Sequence, residues 1–123
     1  MKIYLSGGMH SGWQDLFISR YPDFTFFDPR SHGLTEPEDY TKWDIEKILE
    51  SDLVIAYLED SNPSGLGMAF EIGVAVGAGK PIYFVNEQMD NKYTKILECA
   101  SLNSWIDIVD CLVQVNMLYR LAS

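Results

Sequence analysis

Glu71 is the only charged side chain between Asp60 and Lys80, set early in a helical stretch otherwise made of glycine and apolar residues. A carboxylate in such company has two readings. In the first turns of a helix an acid meets the positive end of the dipole, which is a structural role. At the C-terminal edge of a parallel sheet, ringed by apolar side chains, the same acid is a reactive group facing a pocket. Asp44 falls at i+4 from Tyr40 and i−4 from Ile48, beside the apolar stripe of its own helical segment, where an acid commonly serves as an ion-pair partner. Tyr4 alternates with Ile3 and Leu5 and faces the opposite side of its strand; most tyrosines so placed pack and satisfy their hydroxyl on a nearby acceptor.

Other candidates are weaker alone. Gly65-Leu66-Gly67 has Phe70 where a dinucleotide fingerprint needs its third glycine, so an ordinary Rossmann cofactor site is poorly supported. The Asn62-Pro63-Ser64-Gly65 segment can cap a helix or turn backbone N–H groups toward an anion or a sugar hydroxyl. His10 and His32 are single loop histidines without metal-ligand spacing and read as surface residues.

These residues need a scaffold that brings them together. The continuous apolar run Leu53 to Leu58 predicts a buried strand, followed by the loop Glu59 to Ser64, a helix ending at Gly77 or Gly79, and a strand from Pro81 to Val85. Before this unit, Lys2 to Ser6 predicts a strand that ends at Gly7-Gly8, where backbone can approach a ligand. Gly12 to Arg20 predicts a short helix and Phe24 to Phe27 a strand. Thr35-Glu36-Pro37-Glu38 has capping-box spacing and predicts a helix to about Ser51, buried through Ile45, Ile48 and Leu49; Asp52 reads as a cap or turn residue. Tyr93 to Ala100 reads as a helix, Asn103 to Ile106 as an edge strand and Asp107 to Leu121 as a closing helix.

Strands alternating with helices predict an α/β, flavodoxin/Rossmann-like three-layer sandwich, with a five-stranded parallel sheet in the order 2-1-3-4-5. Ligands of such sheets lie where the winding reverses, here between the first and third strands. The loops Ser6 to Gly12 and Glu59 to Gly67 should therefore meet over one pocket.

The 123 residues predict a single domain, 1–123. A net charge of −9, with nine Lys and Arg spread along the chain, weighs against a nucleic-acid polymer as partner, which needs a concentrated basic face. No apolar run is long enough to span a bilayer, and the start of the chain lacks a signal-peptide layout, so a cytoplasmic protein without membrane partners is expected. Cys99 and Cys111 read as two packed thiols in a reducing compartment, and no metal site is expected.

Four pieces in order then resemble the nucleoside 2-deoxyribosyltransferase family and its relatives, the nucleotide N-glycosidases. They are Ile3-Tyr4-Leu5-Ser6-Gly7-Gly8; Asp28-Pro29-Arg30-Ser31-His32; Asp44 with Asp52 after it; and Gly67-Met68-Ala69-Phe70-Glu71-Ile72-Gly73 followed by Gly79-Lys80-Pro81. The resemblance covers Lys2 to Val85 and fades beyond. It implies cleavage or exchange of the N-glycosidic bond of a (deoxy)nucleoside or its 5′-monophosphate, with Glu71 as nucleophile, Asp44 orienting the sugar or assisting the leaving base, and Tyr4 holding the nucleophile. The implied substrate-binding set is Ser6, Gly7, Gly8, His10, Asp28, Arg30, Ser64, Gly65, Gly67 and Met68.

The resemblance also implies no cofactor or metal, and a homodimer or larger homo-oligomer in which Asn91 or Thr94 are the nearest candidates to serve a neighbouring site. Two departures leave nucleoside and nucleotide both open. Ser64-Gly65 stands where many family transferases carry an aspartate, whereas the nucleotide hydrolases use a serine near that point to hold a 5′-phosphate. The glycine-rich turn also resembles theirs, but with His10 and Ser11 where an arginine and a glycine would aid phosphate binding. The rival readings are a TIR-like NAD glycohydrolase or phosphoribohydrolase, and a non-catalytic nucleotide sensor.

Overall fold

The computed structural model describes residues 1–122. Its elements are β1 (Lys2–Gly7), α1 (Gln14–Arg20), β2 (Thr25–Phe27), α2 (Pro37–Glu50), β3 (Leu53–Leu58), α3 (Leu66–Gly77), β4 (Ile82–Asn86), α4 (Lys95–Ala100), β5 (Asn103–Trp105) and α5 (Ile108–Ala122). All strand pairs are parallel and the sheet order is β2-β1-β3-β4-β5, as the alternation of elements predicts. β1 pairs with β2 on one side and β3 on the other, so the winding reverses at the β1–β3 seam.

Every residue of β3 and β4 is buried, because an inner strand of a parallel sheet has helices over both faces. β1 shows which side chain goes where. Ile3 and Leu5 join one core with Phe17 of α1 and Cys111 and Val115 of α5; Tyr4, on the opposite face, joins a second core with Ile48 of α2 and Met68, Ile72 and Ala75 of α3. Period-two alternation thus delivers Tyr4 to the α2–α3 side of the sheet. Asp52 fastens the base of that sheet: its N–H donates to the Lys2 carbonyl at 2.7 Å and its Oδ2 accepts from the Lys2 N–H at 2.8 Å.

Four local expectations change. Thr35 does not cap α2, because the helix begins at Pro37 with Glu36 in extended backbone as its N-cap, one residue beyond Thr35's reach. Leu49 is half exposed; α2 rests on the sheet through Ile48, and the next residue is rotated about 100° from that contact. Cys111 is packed as expected, but Cys99 is exposed, since the short α4 turns Leu97 rather than Cys99 toward the core. The 92–100 segment also divides, with a 3-10 turn at Lys92–Thr94 preceding α4. No helix among the described residues is long and apolar enough to cross a membrane.

Candidate active site

Met68, Glu71, Ile72 and Ala75 form the buried face of α3, a spacing of three and four residues that turns all of them toward the sheet. Glu71 is therefore carried inward by its apolar neighbours and is 8% exposed. Two donors from β1 meet it there. The Tyr4 hydroxyl donates to Oε2, and Ser6 Oγ donates to Oε1 at 2.8 Å. Tyr4 and Ser6 are two apart on one strand, hence on one face, and both are fully buried.

Asp44 completes the cluster from α2. Its Oδ1 is buried without a hydrogen-bond partner among the described residues. Burial holds the Asp44 carboxyl above the usual range, against the opposing pull of the Tyr4 hydroxyl and the His32 ring. Burial also drives Glu71 upward; the Tyr4 and Ser6 hydrogen bonds oppose this, the Asp44 charge reinforces it, and the carboxyl is pushed up to about 7. Desolvation, followed by the neighbouring Glu71 charge, raises Tyr4 far above the ordinary phenol range, so it remains a donor. Two carboxyls that disfavour each other's charge are most stable sharing one negative charge, leaving one ionised and one protonated.

An aromatic wall adjoins Asp44. The Trp43 ring lies 6.4 Å from Tyr4 and 4.8 Å from His32, the latter edge to face at 69°. His32 Nδ1 accepts from the Leu34 N–H at 2.9 Å, which fixes the ring. Sequence reading left His32 on the surface and passed over Trp43; the one available signal was Trp43's place immediately before Asp44.

The two loops at the winding reversal do meet. Gly8 O accepts from Trp13 Nε1 at 2.8 Å and Gln14 Nε2 at 3.0 Å, anchoring the first loop. In the second, Asn62 Oδ1 accepts from the N–H groups of Ser64 and Gly65 at 3.2 and 3.0 Å. Gln88, just beyond β4, donates through its amide to the carbonyls of Glu59 and Asn62, both at 2.8 Å, and so braces this loop from below. Gly65 itself has φ +64°, a left-handed conformation from which the chain turns into α3. Loop 8–12 and loop 59–63 together wall a cleft of about 300 Å³.

Not every expected residue converges on Glu71. The Arg30 guanidinium is held by Asp28, with contacts of 2.7 to 3.1 Å, and by Asp15 Oδ1 at 2.8 Å, and no hydrogen bond joins Asp28 or Arg30 to Glu71, Tyr4 or Asp44. His10 is exposed in the cleft loop, Ser64 and Gly67 are exposed at the start of α3, and the Met68 side chain is buried in the core. Sequence reading placed Glu59 in the pocket loop but missed Gln88, an ordinary polar residue by type, with nothing in its spacing to mark it.

The sequence profile described as nucleoside 2-deoxyribosyltransferase matches residues 23–114. It begins after β1 and continues well past Val85, further than the motifs alone carried the resemblance. No curated protein matches the chain. Among solved structures, a 2-deoxyribosyltransferase from the psychrotolerant bacterium Bacillus psychrosaccharolyticus is similar at 23% identity and TM-score 0.69, over 90% of each chain. The Clostridium botulinum CMP N-glycosidase is similar at 21% identity and TM-score 0.66, over 96% of this chain and 99% of that one. A 2-desoxiribosyltransferase from Leishmania mexicana has 21% identity and TM-score 0.54, over 68% of this chain and 63% of that one. These likenesses concern the fold; membership rests on the profile, whose span includes both Asp44 and Glu71, and by it the chain belongs to the nucleoside 2-deoxyribosyltransferase family.

Proposed function

We propose that this protein cleaves or exchanges the N-glycosidic bond of a (deoxy)nucleoside or nucleoside 5′-monophosphate through a glycosyl ester on Glu71. The observation that carries this reading is the buried Glu71 carboxylate, held by Tyr4 and Ser6 with the Asp44 carboxyl beside it. A nearly dry carboxylate fixed by two donors is a competent nucleophile toward an oxocarbenium-like carbon, and it divides one difficult displacement into two.

In the first half, a Glu71 oxygen bonds to the anomeric carbon while the bond to the base nitrogen breaks. The reacting form of the pair has Glu71 ionised and the shared proton on Asp44; the electron pair leaves with the base, which takes that proton. In the second half, water or another base attacks the anomeric carbon, Glu71 departs as a carboxylate, and Asp44 receives the acceptor's proton. Tyr4 and Ser6 hold Glu71 in line, and their hydrogen bonds keep enough of it ionised despite burial. These side chains balance the protons of both halves. Trp43 and His32 offer the departing base an aromatic wall on the Asp44 side.

The reading also comprises one cytoplasmic domain, 1–123, assembled as a homo-oligomer. Supporting the assembly, Leu66 and Phe70 are 75% and 50% exposed on the outer side of α3, next to the site, where an isolated chain gains nothing from them. The free thiols Cys99 and Cys111 fit a reducing compartment.

The test is chemical. Glu71→Gln and Glu71→Ala should abolish base release with the fold intact, and mass spectrometry of an arrested wild-type reaction should find a sugar adduct on Glu71. Base release by Glu71→Ala would end this reading.

A further inference from the structure

Gln88 lies two residues past the end of β4, and each of its polar groups is paired. Its N–H donates to Asn86 Oδ1 at 2.9 Å, its Oε1 accepts from Asn91 Nδ2 at 3.1 Å, and its carbonyl accepts from the Asn91 N–H at 2.9 Å. Asn86 is itself fixed. It is 1% exposed, and its amide donates to Thr94 Oγ1 at 2.8 Å and to Glu98 Oε1 at 2.9 Å. A long side chain that is otherwise free to change rotamer is thus held in one by a paired network.

What Gln88 holds is the connection from β3 to α3. Its two amide hydrogens go to the carbonyls of Glu59 and Asn62, both at 2.8 Å, the two ends of a turn that the Asn62 N–H closes onto the Glu59 carbonyl at 3.0 Å. The preceding residue grips the same turn with the opposite polarity: Glu87 Oε1 accepts from the Asp60 N–H at 3.0 Å, while its Oε2 accepts from the Tyr57 hydroxyl at 2.6 Å.

That turn decides where α3 starts. The N-cap of α3 is Gly65, which has no side chain to satisfy the first N–H groups, so the entry depends on Asn62 instead. The Asn62 carbonyl is fixed by Gln88, and its Oδ1 accepts from the N–H groups of Ser64 and Gly65 at 3.2 and 3.0 Å. The Gly65 carbonyl then accepts from the Ala69 N–H at 2.9 Å, the first bond of the helix, and Glu71 follows two residues later on the buried face. One hydrogen-bonded line therefore runs from Asn86 through Gln88 and Asn62 to the turn of α3 that carries Glu71.

We propose that Gln88 is a positioning residue for the reaction at Glu71: by fixing the 59–62 turn it sets where α3 begins, and so where the Glu71 carboxylate meets Tyr4 and Ser6. This rests on the glycosidic reading above for what Glu71 does. Displacing a reacting group by about 1 Å costs about a hundredfold in rate, so a loosened helix entry is felt in the chemical step rather than in ligand affinity.

The test pairs a structural readout with a kinetic one. Gln88→Met keeps the length of the side chain and removes both donors; Gln88→Glu also lacks them and serves if the first variant does not fold, as judged by far-ultraviolet dichroism and a thermal melt. Amide hydrogen exchange followed by nuclear magnetic resonance should show at least about a tenfold loss of protection at Gly65 and Ala69, with β3 and β4 changed by less than about twofold. Base release from thymidine, deoxycytidine, deoxyadenosine, deoxyguanosine or their 5′-monophosphates should fall at least about tenfold in kcat with KM within about twofold. Asn62→Ala interrupts the same line, so the double variant should lose no more in kcat than the worse single variant. Unchanged exchange at Gly65 and Ala69, a loss spread equally over β3 and β4, an effect confined to KM, or additive losses in the double variant overturns the inference. If exchange responds as expected but the wild-type protein releases no base from any of these compounds, the setting of α3 by Gln88 stands and the glycosidic reading falls.

Discussion

The Tyr4 hydroxyl donates to Glu71 Oε2 from a strand sixty-seven residues earlier in the chain, and Ser6 reaches the other carboxylate oxygen from the same strand face. β1 thus acts as a fixed jig for a carboxylate carried by α3. Burial alone would keep Glu71 protonated at neutral pH; the two donors return part of it to the ionised form. Ser6→Ala removes one of them and should lower the rate of base release by about tenfold, in line with a hydrogen bond to a charged group. Glu71 adduct formation followed by mass spectrometry in single turnover measures this directly.

Tyr4 and Asp44 should move the pH profile in opposite directions. The acid limb of kcat/KM reports ionisation of the carboxyl pair and should lie near the value of about 7 to which Glu71 is pushed. Tyr4→Phe deletes a hydrogen bond that lowers Glu71, so the limb shifts to higher pH. Asp44→Asn deletes a charge that raises it, so the limb shifts to lower pH while the rate at the optimum falls for want of an acid. Two shifts in the same direction would contradict the electrostatic arrangement described here.

Stability should carry the mirror image of that shift. The folded protein holds a proton on Glu71 up to about 7, whereas a freely solvated glutamate releases it near 4.5, so folding binds protons in this window. Glu71 therefore costs stability progressively as pH rises from 4.5 through 7. Glu71→Gln removes that cost, and its advantage in urea unfolding should grow from near zero at acid pH to at most about 3 kcal/mol above pH 7. An advantage that stays flat with pH would refute the raised ionisation.

Gly65 enters α3 at φ +64°, and a Cβ there would lie 3.0 Å from Leu58 Cδ1. Gly65→Ala should destabilise the protein by about 1–2 kcal/mol from the left-handed backbone alone. Because the same turn sets the start of the helix that carries Glu71, base release should fall as well, beyond what the loss of folded protein explains. Thermal melting and kcat on the folded fraction separate the two effects.

Phe70 tests the assembly. It is half exposed and adjoins Glu71 in sequence but points away from the core. Phe70→Asp should convert a homo-oligomer to monomer in sedimentation equilibrium while leaving the monomer's melting temperature nearly unchanged, because the side chain contributes little to its own chain's core. A wild-type protein that sediments as a monomer would remove this part of the reading.

The scaffold was legible in the sequence because it depends on local periodicity. The unbroken, β-branched and aromatic-rich apolar run over 53–58 read as a buried strand, the alternation of strands and helices implied parallel pairing, and one acid in an apolar helix drew notice to Glu71. Element ends were less legible. Thr35 and Leu49 each misled because the start of α2 and the rotation of its buried face are set by how the helix rests on the sheet, which no spacing within 35–50 contains.

Composition and pattern by themselves determined the layering, the strand order and the identity of the one carboxylate whose surroundings made it chemically suspect. Only the folded chain decided what that carboxylate meets: the Tyr4 and Ser6 hydroxyls from β1 and the Asp44 carboxyl from α2, with Arg30 drawn away to Asp28 and Asp15. The reason is range. Periodicity is written into neighbours a few residues apart, whereas ionisation and hydrogen bonding depend on groups that are adjacent in space and distant along the chain.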